Sequence, residues 1–295
     1  MHTTTPGLKF LFVINPGSGS NNVDFEEVID QFFASRPEIA VKKHVLGHPV
    51  NCDALKAEIL ALAPDRVVAV GGDGTLKMVA ELLLDTYIPL GIIPAGSANG
   101  MARELNIPID PEQALHLILT GIPQRIHLLK VNNELCIHLS DIGFNAYVVK
   151  TFAALPHRGM WGYIKAAWHV LWRHYRMKAV FSINGRTVER EAVMIVIANA
   201  TSYGTGIRIN PEGKLDDELF EVIIIRKISL AELFKMAFTK RPFNPKKTEL
   251  FQTGSLLVKS RKKAHFQVDG EYLGKVNEVK ASILPAALSV IYTPL

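Results

Sequence analysis

The sequence predicts an α/β domain with a parallel sheet, followed by a β-rich domain of mostly antiparallel strands. Up to about residue 125, short apolar runs alternate with amphipathic helical patterns, which is typical of parallel strands joined by right-handed crossovers. Beyond that point, two-residue turns separate the apolar runs, which is typical of hairpins. We therefore expect domains at residues 1–125 and 126–285, with a tail of about residues 286–295 packed back on the first.

In the first domain, apolar runs indicate strands and capped amphipathic patterns indicate helices. Asp24 is placed to cap the first helix, and Pro64 is placed to end the second. Ser97 is expected to open a short helix, and Pro111 begins a longer one that Gly121 ends. In chain order, the expected elements are a strand at 9–15, a helix after Asp24, the apolar segment 39–46, a helix capped near Asn51–Asp53, a strand at 67–70, a helix at 75–84, a strand at 87–94, and helices at 97–107 and 111–121.

In the second domain, turn dipeptides divide alternating strand patterns. Asn132-Asn133, Asn184-Gly185 and Asp269-Gly270 each stand between two apolar runs, and Asn-Gly or Asp-Gly favours a two-residue hairpin turn. Further strands are expected within 218–227, 255–260, 264–273 and 288–294. Two stretches, 157–178 and 229–238, have helical patterns instead. The cleft between the two domains is expected to hold the functional site, since ligands commonly bind at domain interfaces.

Composition and charge narrow the class of protein only coarsely. The 295 residues carry a formal net charge of +5, which favours anionic partners such as nucleotide phosphates or acidic lipid surfaces. The two cysteines, Cys52 and Cys136, form neither a disulfide framework nor a zinc pattern, so a cytoplasmic location is expected. Neither a signal peptide nor an apolar run of about 20 residues is visible, so any membrane contact is expected to be peripheral.

Three glycine-containing loops follow predicted strands: "NPGSGS", "GGDGT" and "PAGSANG". In a parallel sheet, these loops would gather outside the carboxyl ends of the strands. Glycines let backbone N–H groups approach an anion, and a helix N-terminus adds a favourable dipole. One such loop would be an ordinary turn, but three together favour a phosphate site in which Asp73 faces a metal or a reacting group. The P-loop and dinucleotide-binding patterns are both absent from the sequence.

Acidic residues and histidines are less informative on spacing alone. Asp216 and Asp217 could hold Mg²⁺ or Ca²⁺, although a solvated turn is the simpler interpretation. Asp269 and Glu271 lie at a hairpin tip, where Asp-Gly is a common turn. Asp269 is expected to bond its own backbone in that turn. His44, His48 and His127 lack a metal-ligand spacing and are interpreted as solvated or hydrogen-bonded side chains.

Four motifs in order, "NPGSG", "GGDGT", "PAGSANGMAREL" and "VDGE", resemble the diacylglycerol kinase catalytic family of bacterial lipid kinases. "GGDGT" alone is shared with NAD kinases, but the four together are specific, and the resemblance covers nearly the whole chain. The family implies an NAD kinase-like α/β domain and a C-terminal β-sandwich domain, with ATP bound between them. It also implies Mg²⁺ as a cofactor and a lipid hydroxyl as phosphoryl acceptor.

The resemblance assigns roles to individual positions. Glu271 matches the general base, and Asp73 is expected to organise the metal and the γ-phosphate. Asp217 matches a structural magnesium ligand, with Asp216 beside it and the backbone carbonyls near Lys214 and Leu219 as companions. The positions that match nucleotide-binding residues are Asn15, Gly17, Gly19, Gly71, Gly72, Gly74, Thr75, Ser97 and Asn99.

Several positions depart from the family pattern. Gly100 stands where the family has an Asp, His127 where it has a second acid, and Ser20 where Lys or Arg is frequent. The family's Asp-Asp-Gly is Asp216-Asp217-Glu218 here. The charged network that supports the active-site metal in relatives is therefore thinned.

The sequence thus favours an ATP- and Mg²⁺-dependent lipid kinase that uses diacylglycerol or a related lipid. A soluble kinase of the NAD kinase type, and a nucleotide-binding lipid sensor with weak or no turnover, are the alternatives. The aromatic and basic stretch Trp161–Tyr175 is equally consistent with a packed helix and with an interfacial helix that meets lipid on the inner face of the membrane. Nucleic acid is not an expected partner, and a homodimer is left open.

Overall fold

The computed structural model describes residues 7–18, 23–153, 176–201, 209–210, 213–215, 217–227 and 244–294. The chain divides into two compact units. The first unit comprises Met1–Ile126 together with Ala286–Leu295, and the second comprises His127–Pro285. Strand β5, Pro123–Val131, carries the chain out of the first unit, and strand β14, Glu271–Ile291, brings it back.

The first unit alternates strands and helices. Its elements are β1 (Lys9–Ile14), α1 (Phe25–Phe33), β2 (Ala40–Val45), α2 (Cys52–Leu62), β3 (Arg66–Gly71), α3 (Asp73–Leu83), β4 (Leu90–Pro94), α4 (Gly100–Glu104) and α5 (Pro111–Thr120). The strands pair in parallel in the order β2-β1-β3-β4, and the end of β14 joins β4 in parallel through Val290 and Leu90. The predicted parallel α/β architecture is confirmed.

Aromatic packing fills one side of this sheet. Phe10 and Phe12 of β1 are fully buried and meet Phe33 of α1 at ring-centroid distances of 5.7 and 5.8 Å. Leu115 and Ile118 of α5 belong to the same cluster. Burying each such side chain contributes about 1.5–3 kcal/mol. The side chains that pack against β1 come from helices more than twenty residues away in the sequence.

Two of the helix caps were predicted, those of α1 and α2, and the cap of α5 was not. The Asp24 carboxylate accepts the N–H groups of Glu26 and Glu27 at 3.1 Å, Asn51 caps α2, and Asp110 caps α5. The expected start of the short helix at Ser97 is wrong, because α4 begins at Gly100. Asn99 has a left-handed backbone (φ 50°) and its side chain is bonded back to Gly96, so helical geometry starts only after it.

The second unit is mainly antiparallel. Its elements are β6 (Glu134–Cys136), β7 (Leu139–Gly143), α6 (Phe144–Ala153), β8 (Met177–Ile183), β9 (Arg186–Ala192), β10 (Met194–Ala198), β11 (Phe220–Ile225), β12 (Thr248–Thr253) and β13 (Ser255–Val268), with most of β5 and β14. The strands pair in the order β12-β11-β10-β7-β13-β14, and β8 joins β13 and β9. The predicted sandwich-like antiparallel domain is confirmed.

Strands β10 and β11 lie at the centre of this unit and are buried along their whole length. Ile195, Ile197 and Val222 point into one apolar cluster, whereas Val196 and Ile223 point into another. Because both faces are covered, these strands read as continuous apolar runs in the sequence rather than as alternating ones.

The predicted hairpins are present. Asn184 and Gly185 have positive φ angles of 51° and 72°, as do Asp269 and Gly270 at 50° and 85°, which suits a type I′ turn. Two differences appear. Segments 255–260 and 264–268 form the single strand β13, with a register irregularity between Lys259 and Ala264. Helix α6 was not predicted, because Tyr147, Val148 and Val149 favour a strand locally.

The helical patterns expected at 157–178 and 229–238 lie outside the described residues, apart from 176–178. There the expectation is wrong, because Met177 begins strand β8. Among the helices that are described, none combines the length and the apolar character needed to cross a bilayer.

Candidate functional site

Asn15 joins the first glycine loop to helix α3. Its Nδ2 donates to the Thr75 hydroxyl at 2.9 Å, and its Oδ1 accepts the N–H of Gly17 at 3.0 Å. Its backbone N–H donates to the carbonyl of Val70 at the end of β3. One side chain therefore fixes the loop after β1 against the start of the helix that follows β3. Gly19 and Ser20, further along this loop, lie outside the described residues.

The second and third loops touch through their glycines. A Cβ on Gly96 would lie 2.5 Å from the Cα of Gly72, and a Cβ on Gly72 would lie 3.2 Å from the Cα of Gly96. A Cβ on Gly71 would meet the Thr75 side chain at 2.4 Å. These glycines are thus required for close backbone approach. Gly74 differs, since it is exposed and a Cβ there would meet nothing within 4 Å.

Asp73 binds backbone rather than a side chain in this structure. Its Oδ2 accepts the N–H of Gly100 at 2.9 Å, and its Oδ1 accepts the N–H of Met101 at 3.1 Å. The carboxylate therefore ties the start of α3 to the start of α4. Gly100, which replaces a family Asp, serves here as a hydrogen-bond donor to Asp73.

Asn99 and Ser97 occupy the turn between β4 and α4. The Asn99 side chain accepts the N–H of Gly96 and donates to its carbonyl, both at 2.8 Å. Ser97 is exposed in the same turn. The predicted nucleotide-binding positions that the structure describes are therefore brought together at the carboxyl ends of β1, β3 and β4.

His48, which the sequence predicts to be a solvated or hydrogen-bonded side chain, lies beside the first loop. Its Nε2 would lie 3.6 Å from a Cβ on Gly17, next to the Asn15 side chain. His48 is exposed in the connection between β2 and α2. No spacing in the sequence signals this proximity, because the parallel pairing of β1 with β2 creates it.

A pair of glycine variants tests the packing of these loops. Gly96→Ala should lower the melting temperature by several degrees, because its Cβ would overlap Gly72. Gly74→Ala should leave the melting temperature unchanged or slightly raised, since open space and helix propensity favour alanine there. Differential scanning fluorimetry measures both effects. A Gly96→Ala protein with the wild-type melting temperature would contradict the packing assigned to these loops.

The expected magnesium residues in the second unit lie in a turn before β11. Asp217 is half-buried, and its Oδ1 accepts the N–H of Leu219 at 3.3 Å. Lys214 and Leu219 are exposed, and Asp216 lies outside the described residues. Leu215, between them, accepts the N–H of His127 at 2.8 Å, which ties the turn to β5.

A buried glutamate lies close to this turn. Glu221 is 1% exposed and accepts hydrogen bonds from Asn210 and from Gln252. Burial raises the pKa of Glu221 above its ordinary value, the two hydrogen bonds oppose that rise, and the charge of Asp217 adds to it. The charges of Asp217 and Glu221 repel each other, and a cation at this turn would relieve that repulsion.

Asp269 binds a backbone segment far away in the sequence, a contact that the expectation of a bond within its own turn did not include. Its carboxylate accepts the N–H groups of Ile137, His138 and Leu139 at 3.0, 2.9 and 3.2 Å. Ile137 and His138 connect β6 to β7, and Leu139 is the first residue of β7. The ionised side chain satisfies three adjacent donors at once, so Asp269 fixes the hairpin tip that also carries Glu271.

Asp269→Asn should therefore destabilise the protein by about 2 kcal/mol or more, since an amide offers one acceptor oxygen where the carboxylate offers two. Asp24→Asn is the matched control, because asparagine caps a helix about as well as aspartate does. Chemical denaturation measures both variants. Equal losses for the two substitutions would contradict the clamp role of Asp269.

Six side chains form a polar layer between the sheet and α6, which contacts β7 and β13. Asp141 Oδ2 accepts from Asn145 at 2.6 Å and from Gln267. The His265 ring stacks on Tyr147 with centroids 4.4 Å apart, and its Nδ1 is hydrogen-bonded to the Tyr272 hydroxyl at 2.8 Å. We call Asp141, Asn145, Tyr147, His265, Gln267 and Tyr272 the α6 polar layer.

Histidine 265 is only 6% exposed, and its environment disfavours the charged form. Burial is the main cause that lowers its pKa from 6.5 to about 4, and the positive charges of Lys275 and Lys150 add to the effect. The unfolded chain therefore takes up a proton at a pH where the folded protein does not. The stability that the neutral His265 side chain contributes is fully present above pH 6.5 and is lost as the pH falls from 6.5 towards 4.

His265→Gln should flatten this pH dependence. One proton contributes a slope of at most about 1.4 kcal/mol per pH unit. Urea unfolding at pH 7.5 gives the difference in free energy of unfolding that the substitution causes when His265 is neutral in both states. A series down to pH 4.5 gives the slope of that free energy against pH. Parallel curves for variant and wild type across this range would show that His265 does not titrate in that way.

Comparisons with known proteins agree with this architecture. The model of the diacylglycerol kinase catalytic domain matches residues 9–131, and that of the YegS C-terminal NAD kinase beta sandwich-like domain matches residues 140–292. A diacylglycerol kinase from Staphylococcus aureus (strain bovine RF122 / ET3-1) is 27% identical over 299 residues, covering 90% of this chain and 86% of the relative. One from Staphylococcus saprophyticus is also 27% identical, covering 90% and 89%.

A solved structure shares the fold. The crystal structure of a diacylglycerol kinase from Bacillus anthracis str. Sterne has a TM-score of 0.76, with 98% of each chain covered at 17% identity. The two family models together span the first unit and the second, in the order in which the structure presents them. The chain therefore belongs to the diacylglycerol kinase catalytic-domain family, with a C-terminal domain of the YegS type.

Proposed function

We propose that this protein is an ATP-dependent lipid kinase that transfers the γ-phosphate to a hydroxyl of diacylglycerol or of a related lipid. Family membership supports a kinase, and the family implies ATP use. The observation that carries the proposal is the joining of three glycine loops at the carboxyl ends of β1, β3 and β4. The related proteins named above are diacylglycerol kinases, which favours a lipid acceptor.

The proposed nucleotide site uses the start of α3. Gly72 and Gly74 have no side chains to block an approaching phosphate, and the N–H groups of the first turn carry the positive end of the helix dipole. Asn15 and Thr75 hold the first loop against this turn. In this proposal the backbone donors bind the triphosphate, and His48 beside Gly17 contributes a further polar contact from the β2–α2 connection.

Asp73 has a double role in the proposal. Its two N–H contacts position α4, and each carboxylate oxygen can accept a further interaction, so the residue fits a magnesium ion carried by ATP. Magnesium, when bound, neutralises charge on the phosphates during transfer. With glycine at position 100, Asp73 supplies this carboxylate without the neighbouring acid of the family pattern.

We also propose a structural magnesium site at Asp217, with Asp216 and the carbonyls of Lys214 and Leu219. Across the described ranges, no three His, Cys, Asp or Glu side chains gather as a metal cluster. One carboxylate with carbonyls is nevertheless a donor set that suits Mg²⁺, which keeps several of its waters. A cation at this position would also relieve the repulsion between Asp217 and Glu221.

Glu271 is the proposed general base. It follows the Asp269-Gly270 turn directly and is exposed. The carboxylate takes the proton of the lipid hydroxyl, the hydroxyl oxygen forms a bond to the γ-phosphorus, and the bond from that phosphorus to the β–γ bridging oxygen breaks. The products are a phosphorylated lipid, ADP and a proton held by Glu271.

The acceptor and the location follow from the same proposal. The lipid would be met at a membrane surface, with the protein cytoplasmic and peripheral. The stretch Trp161–Tyr175, expected to contribute to that contact, lies outside the described residues. A soluble small-molecule kinase and a lipid sensor with weak turnover are the competing functions. The sensor is favoured by the loss of acids at Gly100 and His127.

The proposal predicts that the wild type labels a lipid from [γ-³²P]ATP in mixed vesicles, in a reaction that requires Mg²⁺. Glu271→Gln should reduce this transfer by more than about 100-fold, because general base catalysis contributes roughly 10²–10⁴-fold. Its ATP affinity should stay near that of the wild type, since the base is not assigned to the nucleotide loops.

Glu278→Gln is the matched control, because Glu278 lies on the same strand and forms surface ion pairs with Lys259 and Lys280. It should keep wild-type transfer. Full activity of Glu271→Gln would show that Glu271 is not the general base. Labelling of a soluble compound without any labelled lipid would favour the soluble kinase, and ATP and vesicle binding without ADP formation would favour the sensor.

A further inference from the structure

The turn that carries Glu271 is held from beneath by one amide side chain. Gln267, on β13, accepts the N–H of Gly270 at 2.7 Å through its Oε1. Its Nε2 donates to Asp141 Oδ2. Both residues are buried, Gln267 at 1% and Asp141 at 0% exposure. A buried carboxylate is thus linked to the backbone N–H immediately before Glu271.

The two hydrogen bonds at position 267 require an acceptor and a donor on the same side chain. A glutamine has one acceptor end for Gly270 and one donor end for Asp141. A glutamate would put a second carboxylate beside Asp141, and an apolar side chain would leave both partners without this bond. The bond from Gln267 to Asp141 has a carboxylate as its acceptor, and such bonds are stronger than neutral ones, so Gln267 is firmly oriented where it accepts the N–H of Gly270.

Asp141 is held in turn by the helix above it. Asn145, in the first turn of α6, donates to the same Oδ2 that accepts from Gln267. Register pairing also sets Asp141 directly opposite Gln267 across β7 and β13. The contact therefore runs from α6 through Asp141 and Gln267 to Gly270.

The residue after Glu271 is fixed by the same layer. Tyr272 is hydrogen-bonded to the buried His265, whose ring stacks on Tyr147 of α6. Glu271 is exposed itself, but the positions before and after it are both attached to the α6 polar layer. This arrangement limits the movement of its backbone while the carboxylate stays accessible.

We propose that Gln267 is a positioning residue for phosphoryl transfer, and that Asp141 and Asn145 orient it so that the Glu271 carboxylate meets the acceptor hydroxyl. The inference rests on the proposed role of Glu271 as the base. A misplacement of about 1 Å at a reacting group can cost roughly 100-fold in rate, so a single link at Gly270 can matter for turnover.

The test compares Gln267→Met with Gln252→Met. Methionine has a similar length and removes the hydrogen bonds. Gln252 also donates to a buried carboxylate, that of Glu221, but lies on β12, which pairs with β11. We expect Gln267→Met to lower kcat by about 10- to 100-fold, with the KM for ATP and the Kd for ATP within about twofold of wild type. Gln252→Met should keep the wild-type kcat.

A second background separates positioning from loss of stability. In Glu271→Gln, the residual rate should fall by less than twofold when Gln267→Met is added, because no base remains to be misplaced. An undiminished further loss in that background would overturn the inference, as would a wild-type kcat for Gln267→Met when Glu271→Gln is inactive. An active Glu271→Gln would instead overturn the base assignment of the proposed function.

Asn145→Ala keeps the inference testable if Gln267→Met does not fold. It removes one donor to Asp141 and leaves the bond between Gln267 and Gly270 in place. We expect a smaller fall in kcat, of severalfold, with unchanged ATP affinity. In that case, a folded Asn145→Ala protein with the wild-type kcat would overturn the inference.

Discussion

Each unit depends on a carboxylate that binds backbone N–H groups far away in the sequence. In the first unit, Asp73 accepts from Gly100 and Met101, and in the second, Asp269 accepts from Ile137, His138 and Leu139. Hydrogen bonds to an ionised acceptor are shorter and about twice as strong as neutral ones. Each aspartate thereby joins two segments that are far apart in the sequence. This contact fixes the backbone next to the aspartate more closely than strand pairing alone would.

The backbone contacts of these two aspartates also bear on which carboxylates are available for the proposed chemistry. An aspartate in a glycine-containing motif is easily interpreted as a metal ligand or a base alone. In this protein Asp269 is engaged with backbone on three sides, which leaves Glu271 as the exposed carboxylate of the hairpin tip. Asp73 combines the two demands, since its N–H contacts use only part of its acceptor capacity. The α6 polar layer then supports the tip from below.

Local signals predicted most of the fold. Asp24 and Asn51 could be recognised as caps because a cap acts within three residues, and Asn184-Gly185 as a hairpin because its turn chemistry is local. Contacts across long sequence separations could not be predicted in this way. The link from Asp269 to Ile137 spans 132 residues, and the proximity of His48 to Gly17 depends on which strands pair. The start of α4 was misplaced because the Asn99 side chain competes with helix formation.

The return of the chain to the first unit has a consequence for biosynthesis. Val290 pairs with Leu90, and Leu288, Val290 and Ile291 are buried, so the segment after Pro285 supplies the strand beside β4 in the parallel sheet β2-β1-β3-β4. A ribosome makes this segment only after the whole second unit has been synthesised. Until then, one edge of β4 is unpaired, although strands β1 to β3 have already been synthesised. The nascent first unit must therefore remain incomplete, with an open strand edge, throughout translation of the second.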